Sequence, residues 1–423
     1  MISHLNSKTF LKNVITLLSG TALAQAIPII ISPLLTRMYT PGEIGVYTIF
    51  FATSNILAIL SSGRLEQAIL IPKHKKDSFN VVKLAFYFSI IVSTISFLAL
   101  LFFKNQISTF LGLSTISNWI FLIPLTSFFI VVFQVYSFWL NRNDKYLSIS
   151  KGKVSQGVFM AFIQVSLSIL GSAGLVLGRF VGALFSSIYL FLLSIKLSPK
   201  LFPFNKSELK TTLIKYKDYP IYTMPNALLN SISNNLPLYL LENFFNAKAT
   251  GFYSWSVRIV QGPMGMIIAS LQQVFFREAS KKYNNGESIF SLTKGILKKL
   301  FLIGIIPYTV IYFYSPSIFA FVFGEEWRIA GEYTKYLVPW FFMVFLTSPI
   351  SSIILIFNKQ KIYFLYEFLL FVSRFIALYC GYRFFNDPSY SVIFYGIVGF
   401  IFNSTLLVVL IKLSKNEKHF IIN

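Results

Sequence analysis

Leu34-Leu35-Thr36-Arg37-Met38-Tyr39-Thr40-Pro41-Gly42-Glu43-Ile44-Gly45-Val46-Tyr47 sits between two apolar runs, and the chain repeats it. Shifted by 206 residues, Leu35 through Tyr47 falls on Leu241 through Tyr253, again between two apolar runs. Leu35/Leu241, Gly45/Gly251 and Tyr47/Tyr253 coincide, and Thr48/Ser254 are similar. The offset is nearly half of the 423 residues and lays six apolar runs onto six others. An even number of spans per half gives both halves one orientation. That is the pattern of a parallel repeat about an axis along the membrane normal, with a central cleft between two six-helix lobes.

Composition supports the membrane reading. Hydrophobic residues make up 55%, charged residues 12%, and mean hydropathy is +0.67. Soluble domains carry roughly 25% charge, so too few charges are present to coat globular surfaces. The 47 Phe and 23 Tyr exclude disorder, and the single Cys380 excludes a disulfide scaffold. About 20 mainly apolar residues cross a bilayer as a helix. Twelve segments qualify: Asn13–Thr36, Ile44–Leu65, Val81–Phe103, Trp119–Leu140, Val154–Ser172 and Leu175–Ile195, then Tyr219–Phe244, Ala249–Phe276, Leu297–Ser315, Tyr333–Phe357, Tyr363–Phe385 and Ser389–Leu413. The runs are continuous rather than alternating, which excludes a β-barrel. The expectation is an all-α integral membrane protein with about 12 transmembrane helices. Residues 1–196 and 219–423 would form the two lobes, and 197–218 a cytoplasmic linker. The first apolar run has full membrane length and no small-residue cleavage site, so it reads as a retained span rather than a signal peptide.

A net charge of +22 in a soluble protein would suggest nucleic acid. Here the position of the charges decides otherwise. With the N-terminus in the cytoplasm, cytoplasmic segments hold 28 Lys and Arg against 6 on the opposite side. Both termini are therefore expected inside, by the positive-inside rule, and no nucleic-acid partner is expected. His4, His74 and His419 all lie in polar flanks and the chain has one Cys. Neither a metal site nor a cofactor is expected, and no glycine loop with lysine offers ATP a place.

The opening stretch resembles the first-loop signature of bacterial polysaccharide flippases, the Wzx-type O-antigen and capsule translocases of the multidrug/oligosaccharidyl-lipid/polysaccharide exporter superfamily. Arg64-Leu65-Glu66-Gln67-Ala68-Ile69 resembles the acidic end of that family's second span. Ala249-Thr250-Gly251-Phe252-Tyr253-Ser254-Trp255-Ser256-Val257-Arg258-Ile259 resembles the start of its eighth, with Ser256 where alanine is common. The resemblance implies a transporter in the bacterial inner membrane, not an enzyme. It would move a polyprenyl-pyrophosphate-linked oligosaccharide, an O-antigen or capsule repeat unit, to the outer leaflet. Alternating access coupled to an ion gradient is implied, with membrane lipids around the carrier tail and the polysaccharide polymerase machinery as a partner.

Charges inside membrane helices are expensive and usually face a cavity or a partner. Arg258 lies about ten residues into its span and Arg374 about twelve into its own, near the midplane. A pyrophosphate needs cations, and guanidinium binds its oxygens bidentately. Arg258 and Arg374 are thus candidate substrate ligands, with Trp255 as a candidate stacking partner for a sugar ring. The bland reading of Arg374 is an ion pair with Glu367, seven residues earlier on the same helix face. Arg179, between Gly178 and Gly182, reads as structural, because the two glycines mark a close helix contact. Glu66 and Glu367 are candidate ion-coupling carboxylates, and Glu66 has Arg64 as its competing structural partner.

Other functions fit less well. A drug/cation antiporter would favour acidic rather than basic midplane charges. A peptidoglycan-precursor flippase usually has two further spans, and none is found after Leu413. A membrane-embedded polymerase needs a long outer loop, whereas the longest expected here, Pro316 to Glu332, is short. A scaffold would not need midplane arginines.

Overall fold

The computed structural model describes residues 23–197 and 206–415. The start of the first expected span, part of the expected linker, His4 and His419 lie outside the described residues. All described regular structure is helical. Thirteen segments organise it: α1 (Leu23–Met38), α2 (Pro41–Ser62), α3 (Lys75–Phe110), α4 (Leu122–Arg142), α5 (Tyr146–Ser166), α6 (Ser172–Leu197), α7 (Lys206–Lys215), α8 (Met224–Phe244), α9 (Ala247–Asn284), α10 (Phe290–Phe323), α11 (Arg328–Thr347), α12 (Gln360–Cys380) and α13 (Pro388–Lys415). Nine helical segments among the described residues are long and apolar enough to cross a membrane. The described part of the first expected span and two other expected spans are helical but fall short of that standard. The described part of α1 is short, while α5 and α8 are rich in Ser, Asn, Gln and Lys.

The chain divides into two compact units, Met1–Tyr239 and Leu240–Asn423. In the first, α4 is the hub, packed against α2, α3 and α6, while α5 pairs with α6. In the second, α11 is the hub, packed against α9, α10 and α13, while α12 pairs with α13. The two contact patterns are the same. Thr40 caps α2 and Asn246 caps α9, and the hubs begin at Leu122 and Arg328. Both pairs are 206 residues apart, the spacing of the sequence repeat. Beyond the hubs the register drifts, since α5 begins at Tyr146 and α12 at Gln360, a spacing of 214. By helix starts Arg374 therefore corresponds to Met160, not to a residue 206 positions earlier.

The opening stretch is the start of a helix. Thr40 Oγ1 accepts from the Glu43 amide at 3.3 Å, and Glu43 Oε2 accepts from the Thr40 amide at 2.8 Å. Pro41 occupies the first turn, where its missing N–H costs nothing. The same residues lock onto the turn between α5 and α6. The Tyr39 hydroxyl donates to the Gln164 carbonyl. Glu43 fills the space beside Gly171, whose φ of +56° and absent Cβ both make room for it. Burial first and the Glu43 carboxylate second push the Tyr39 hydroxyl up to about 12.

Contacts within each unit separate two faces. The Arg142 guanidinium donates to the carbonyls of Leu70, Pro72 and Lys73, joining the turn after α4 to the turn after α2. Lys76 pairs with Glu208 at 2.7 Å, bringing α7 to the same end of the unit. On the opposite face, Tyr39 and Glu43 meet the α5–α6 turn. In the second unit Lys248 pairs with Glu326 at 3.0 Å, joining the α8–α9 and α10–α11 turns. Lys415 Nζ lies 5.0 Å from the Phe290 ring at the other end.

Helix packing uses small residues. A Cβ on Gly178 would lie 2.8 Å from the Met160 carbonyl oxygen, and one on Gly182 2.7 Å from that of Gln156. The expected close contact is therefore between α5 and α6. One loop differs from expectation. α10 continues through Pro316 to Phe323, leaving only a short connection into α11. At the proline the neighbouring helix packs closely: Gly331 lies against Pro316, and the Ser315 hydroxyl donates to the Gly331 carbonyl at 2.8 Å.

Candidate functional site

Arg374 sits in the second unit, seven-eighths hidden from solvent or more, at 7% exposure. Its position on α12 puts it beside two helices of the same unit. The guanidinium carbon lies 5.2 Å from the ring of Trp340 on α11 and 5.2 Å from that of Tyr395 on α13. The two rings meet edge-to-face at 5.2 Å, and Tyr395 meets Tyr253 edge-to-face at 6.0 Å. Tyr253 and Tyr395 also share a side-chain hydrogen bond. Trp340 is held from behind, since Gly399 leaves only enough space for the indole. Such rings stabilise a cation by their quadrupoles, by about 2 kcal/mol where water is excluded.

No carboxylate pairs with Arg374 among the described residues. Glu367 instead accepts a hydrogen bond from Tyr363, four residues earlier on α12. Arg374 Nε is buried and has no hydrogen-bond partner. A buried guanidinium with donors to spare is equipped to bind an anion. The repeat explains why sequence spacing hid this arrangement. Tyr47, the counterpart of Tyr253, has its hydroxyl 4.0 Å from Met160 Sδ, where the second unit has the arginine cluster. One unit carries a thioether at this place and the other a charge.

Arg258 and Trp255 are together. The Arg258 guanidinium carbon lies 5.4 Å from the Trp255 ring, on the same face of α9. Trp255 is buried, edge-to-face with Phe323 at 6.2 Å and tilted against Trp327 at 5.3 Å. The indole is thus a packed platform under the guanidinium, and its Nε1 has no hydrogen-bond partner. Arg258 is only half-buried. Ser256, where related sequences were expected to carry alanine, donates to the Ala330 carbonyl at 2.6 Å and ties α9 to α11. Arg179 lies 4.7 Å from the Phe51 ring, above the α5–α6 glycine contact.

Glu66 is in the first unit, on the short 3-10 turn Leu65–Leu70 that follows α2. It is 1% exposed, and Arg64 Nη1 approaches its Oε1 at 3.5 Å. Its Oε2 and the Arg64 Nε are buried without partners. The pair is therefore real but incompletely satisfied. Sequence reasoning missed another carboxylate, the half-buried Glu242 near the end of α8. It bonds the Thr250 side chain while its Oε2 has no partner. Its place inside the expected span Tyr219–Phe244 was the available signal. The Trp340–Tyr395 cage had none, because nothing local marks which aromatic rings will converge.

The fold agrees with that of known proteins. The family described as "Polysaccharide biosynthesis protein" matches residues 34–331, beginning at the opening stretch, and the chain belongs to that family. The teichuronic acid biosynthesis protein TuaB of Bacillus subtilis (strain 168) is 27% identical over 203 residues. That match spans 46% of this chain and 40% of the relative's length. Among solved structures, the lipid II flippase MurJ in an inward closed conformation superposes with a TM-score of 0.72 at 14% identity, over 98% of this chain and 94% of that one. An inward-facing multidrug resistance MATE family transporter of the MOP superfamily gives 0.67 at 14% identity, over 96% of each chain. The chain is a multi-pass membrane protein with the fold of these MOP-superfamily transporters.

Proposed function

We propose that this member of the polysaccharide biosynthesis family is a flippase for a polyprenyl-pyrophosphate-linked oligosaccharide, such as an O-antigen or capsule repeat unit. It acts in the bacterial inner membrane, with both termini cytoplasmic, by alternating access coupled to an ion gradient. The observation that carries the reading is Arg374: a buried guanidinium, held by two aromatic rings, with no carboxylate beside it and one donor unused. Arg258 on its Trp255 platform supplies a second cation. In a transporter of this family an anionic head group is the chemistry that completes both. A drug/cation antiporter would have to carry its cargo past these positive charges.

In the same reading Glu66 and Glu367 serve the coupling ion. The unpartnered oxygen of Glu66 is the ligand that an entering cation would take. The polymerase machinery receives the repeat unit in the outer leaflet.

The test is glycan analysis in a deletion strain with complementation. Loss of the protein should abolish surface polymer and leave repeat units stranded on the carrier. If single repeat units still reach the surface, the protein acts after translocation and the reading fails. Arg374→Ala and Arg258→Ala, at normal membrane abundance, should each fail to restore export.

A further inference from the structure

Helix α8 carries more amide side chains than a membrane span tolerates against lipid. Asn226, Asn230 and Asn234 recur every four residues and are all exposed. With Ser233 they occupy an arc of roughly 100° on the helix. Asn234 Nδ2 donates to Asn230 Oδ1 at 3.0 Å, so these two amides meet rather than point apart, and Asn226 continues the same face one turn earlier. Asn235, on the opposite side, is internally satisfied by the Ser231 carbonyl at 2.8 Å. Asn226 and the Asn230 amide nitrogen have no partner among the described residues. The arc beside the row is apolar: Leu229 is 63% exposed and Ile232 41%. Exposed α8 therefore changes from amide to hydrocarbon within one helical turn.

We infer that the Asn226–Asn230–Asn234 row is a sugar-binding rail for the oligosaccharide, with Leu229 and Ile232 on the side of its lipid carrier. The inference rests on the flippase reading and adds to it the part of the chain that recognises the glycan. The chemistry fits. Each amide offers two donors and an acceptor, which matches hydroxyl groups that both give and accept hydrogen bonds. The row is neutral, so it can release a sugar that a charged group would hold. Its length of about 12 Å serves more than one ring in succession. Unsatisfied amides in hydrocarbon are expensive, which excludes bare lipid as the neighbour of this face.

The experiment uses the full-length chain in the deletion strain. Asn226→Leu/Asn230→Leu/Asn234→Leu should insert normally, because it makes the helix more apolar. It should lower surface polymer and accumulate lipid-linked repeat units, each lost hydrogen bond costing roughly two- to tenfold in export rate. Serine at all three positions should recover a large part of the activity. In a Cys380→Ser background, single cysteines at 226, 230 and 234 should react with an impermeant maleimide, and cysteines at 229 and 232 should not. Wild-type export by the leucine triple, in a strain where deletion alone strands repeat units, overturns the rail and leaves the flippase reading standing. Unchanged lipid-linked glycans in the deletion strain overturn both. Cross-linking between copies through these cysteines, with no maleimide reaction, identifies a helix–helix contact and overturns the rail.

Discussion

The guanidinium of Arg374 stands 5.2 Å from the ring of Trp340, and Gly399 on a third helix packs directly against that ring. Three helices of the second unit thus converge to hold one charge that no carboxylate neutralises among the described residues. This geometry yields the first prediction. Gly399→Ala would put a methyl carbon 2.6 Å from the Trp340 ring. The ring must shift, so we expect a stability loss of about 1–3 kcal/mol and a changed tryptophan emission. Unaltered thermal stability in detergent would refute the packing.

Arg374→Lys separates charge from shape. A lysine keeps the positive charge but loses the planar, bidentate group. If export depends on charge alone, Arg374→Lys should behave as wild type. The bidentate geometry argued for pyrophosphate predicts a substantial loss of export in complementation, with Arg258→Lys affected less because Arg258 is half-buried.

Thr40→Ala removes the side-chain half of the capping box at the start of α2. The expected cost is about 1 kcal/mol, read as a lower unfolding temperature of the purified protein. Thr40→Ser keeps the acceptor and should restore most of it. A serine variant as damaged as the alanine variant would show that the cap is not the cause.

Gly182→Val would drive a branched side chain into the Gln156 carbonyl, 2.7 Å from where its Cβ must sit. We expect poor accumulation in the membrane, since α5 and α6 can no longer approach. Gly42→Ala is the matched control, because nothing lies within 4 Å of a Cβ there. Equal abundance of the two variants would argue against a tight α5–α6 contact.

The ion pair between Lys76 and Glu208 docks α7 on the first unit. The hydrogen bond from Lys76, and then its charge, hold the Glu208 carboxyl below its ordinary 4.5. A carboxyl lowered by folding stabilises the docked form above its unfolded pKa. That contribution disappears as pH falls below 4.5 through the lowered value. Amide exchange over residues 206–215 should therefore be flat near neutrality and quicken in acid, whereas Glu208→Gln should be quick throughout.

Much of this protein was legible in one dimension. A span announces itself through some 20 successive apolar residues. The repeat was legible from Leu35/Leu241, Gly45/Gly251 and Tyr47/Tyr253, and the helix caps at Thr40 and Asn246 keep the same spacing. Arg258 stood out as a charge within a span, and its tryptophan three residues earlier is a same-face neighbour on any helix. The exceptions share a cause. The span expected at Leu297–Ser315 continues as helix through Pro316 to Phe323, where Gly331 and the Ser315 hydroxyl pack α10 against α11. Arg374 was expected to have Glu367 as its structural alternative, yet Tyr363 takes that carboxylate.

The sequence by itself determined the membrane, the all-helical class and the doubling of the plan, because each is written in residue patterns along the chain. Tertiary structure alone decided which side chains meet. Trp340 and Tyr395 reach Arg374 from the long helices before and after its own, and Gly399 packs against Trp340. Tyr39 and Glu43 find the turn between α5 and α6 more than 120 residues away, since the Tyr39 bond to Gln164 joins residues 125 apart. Lipid selects for apolarity and is indifferent to which apolar helix lies beside which. Partner choice is made by small residues, ring edges and unsatisfied polar atoms, and those act only once the helices are side by side.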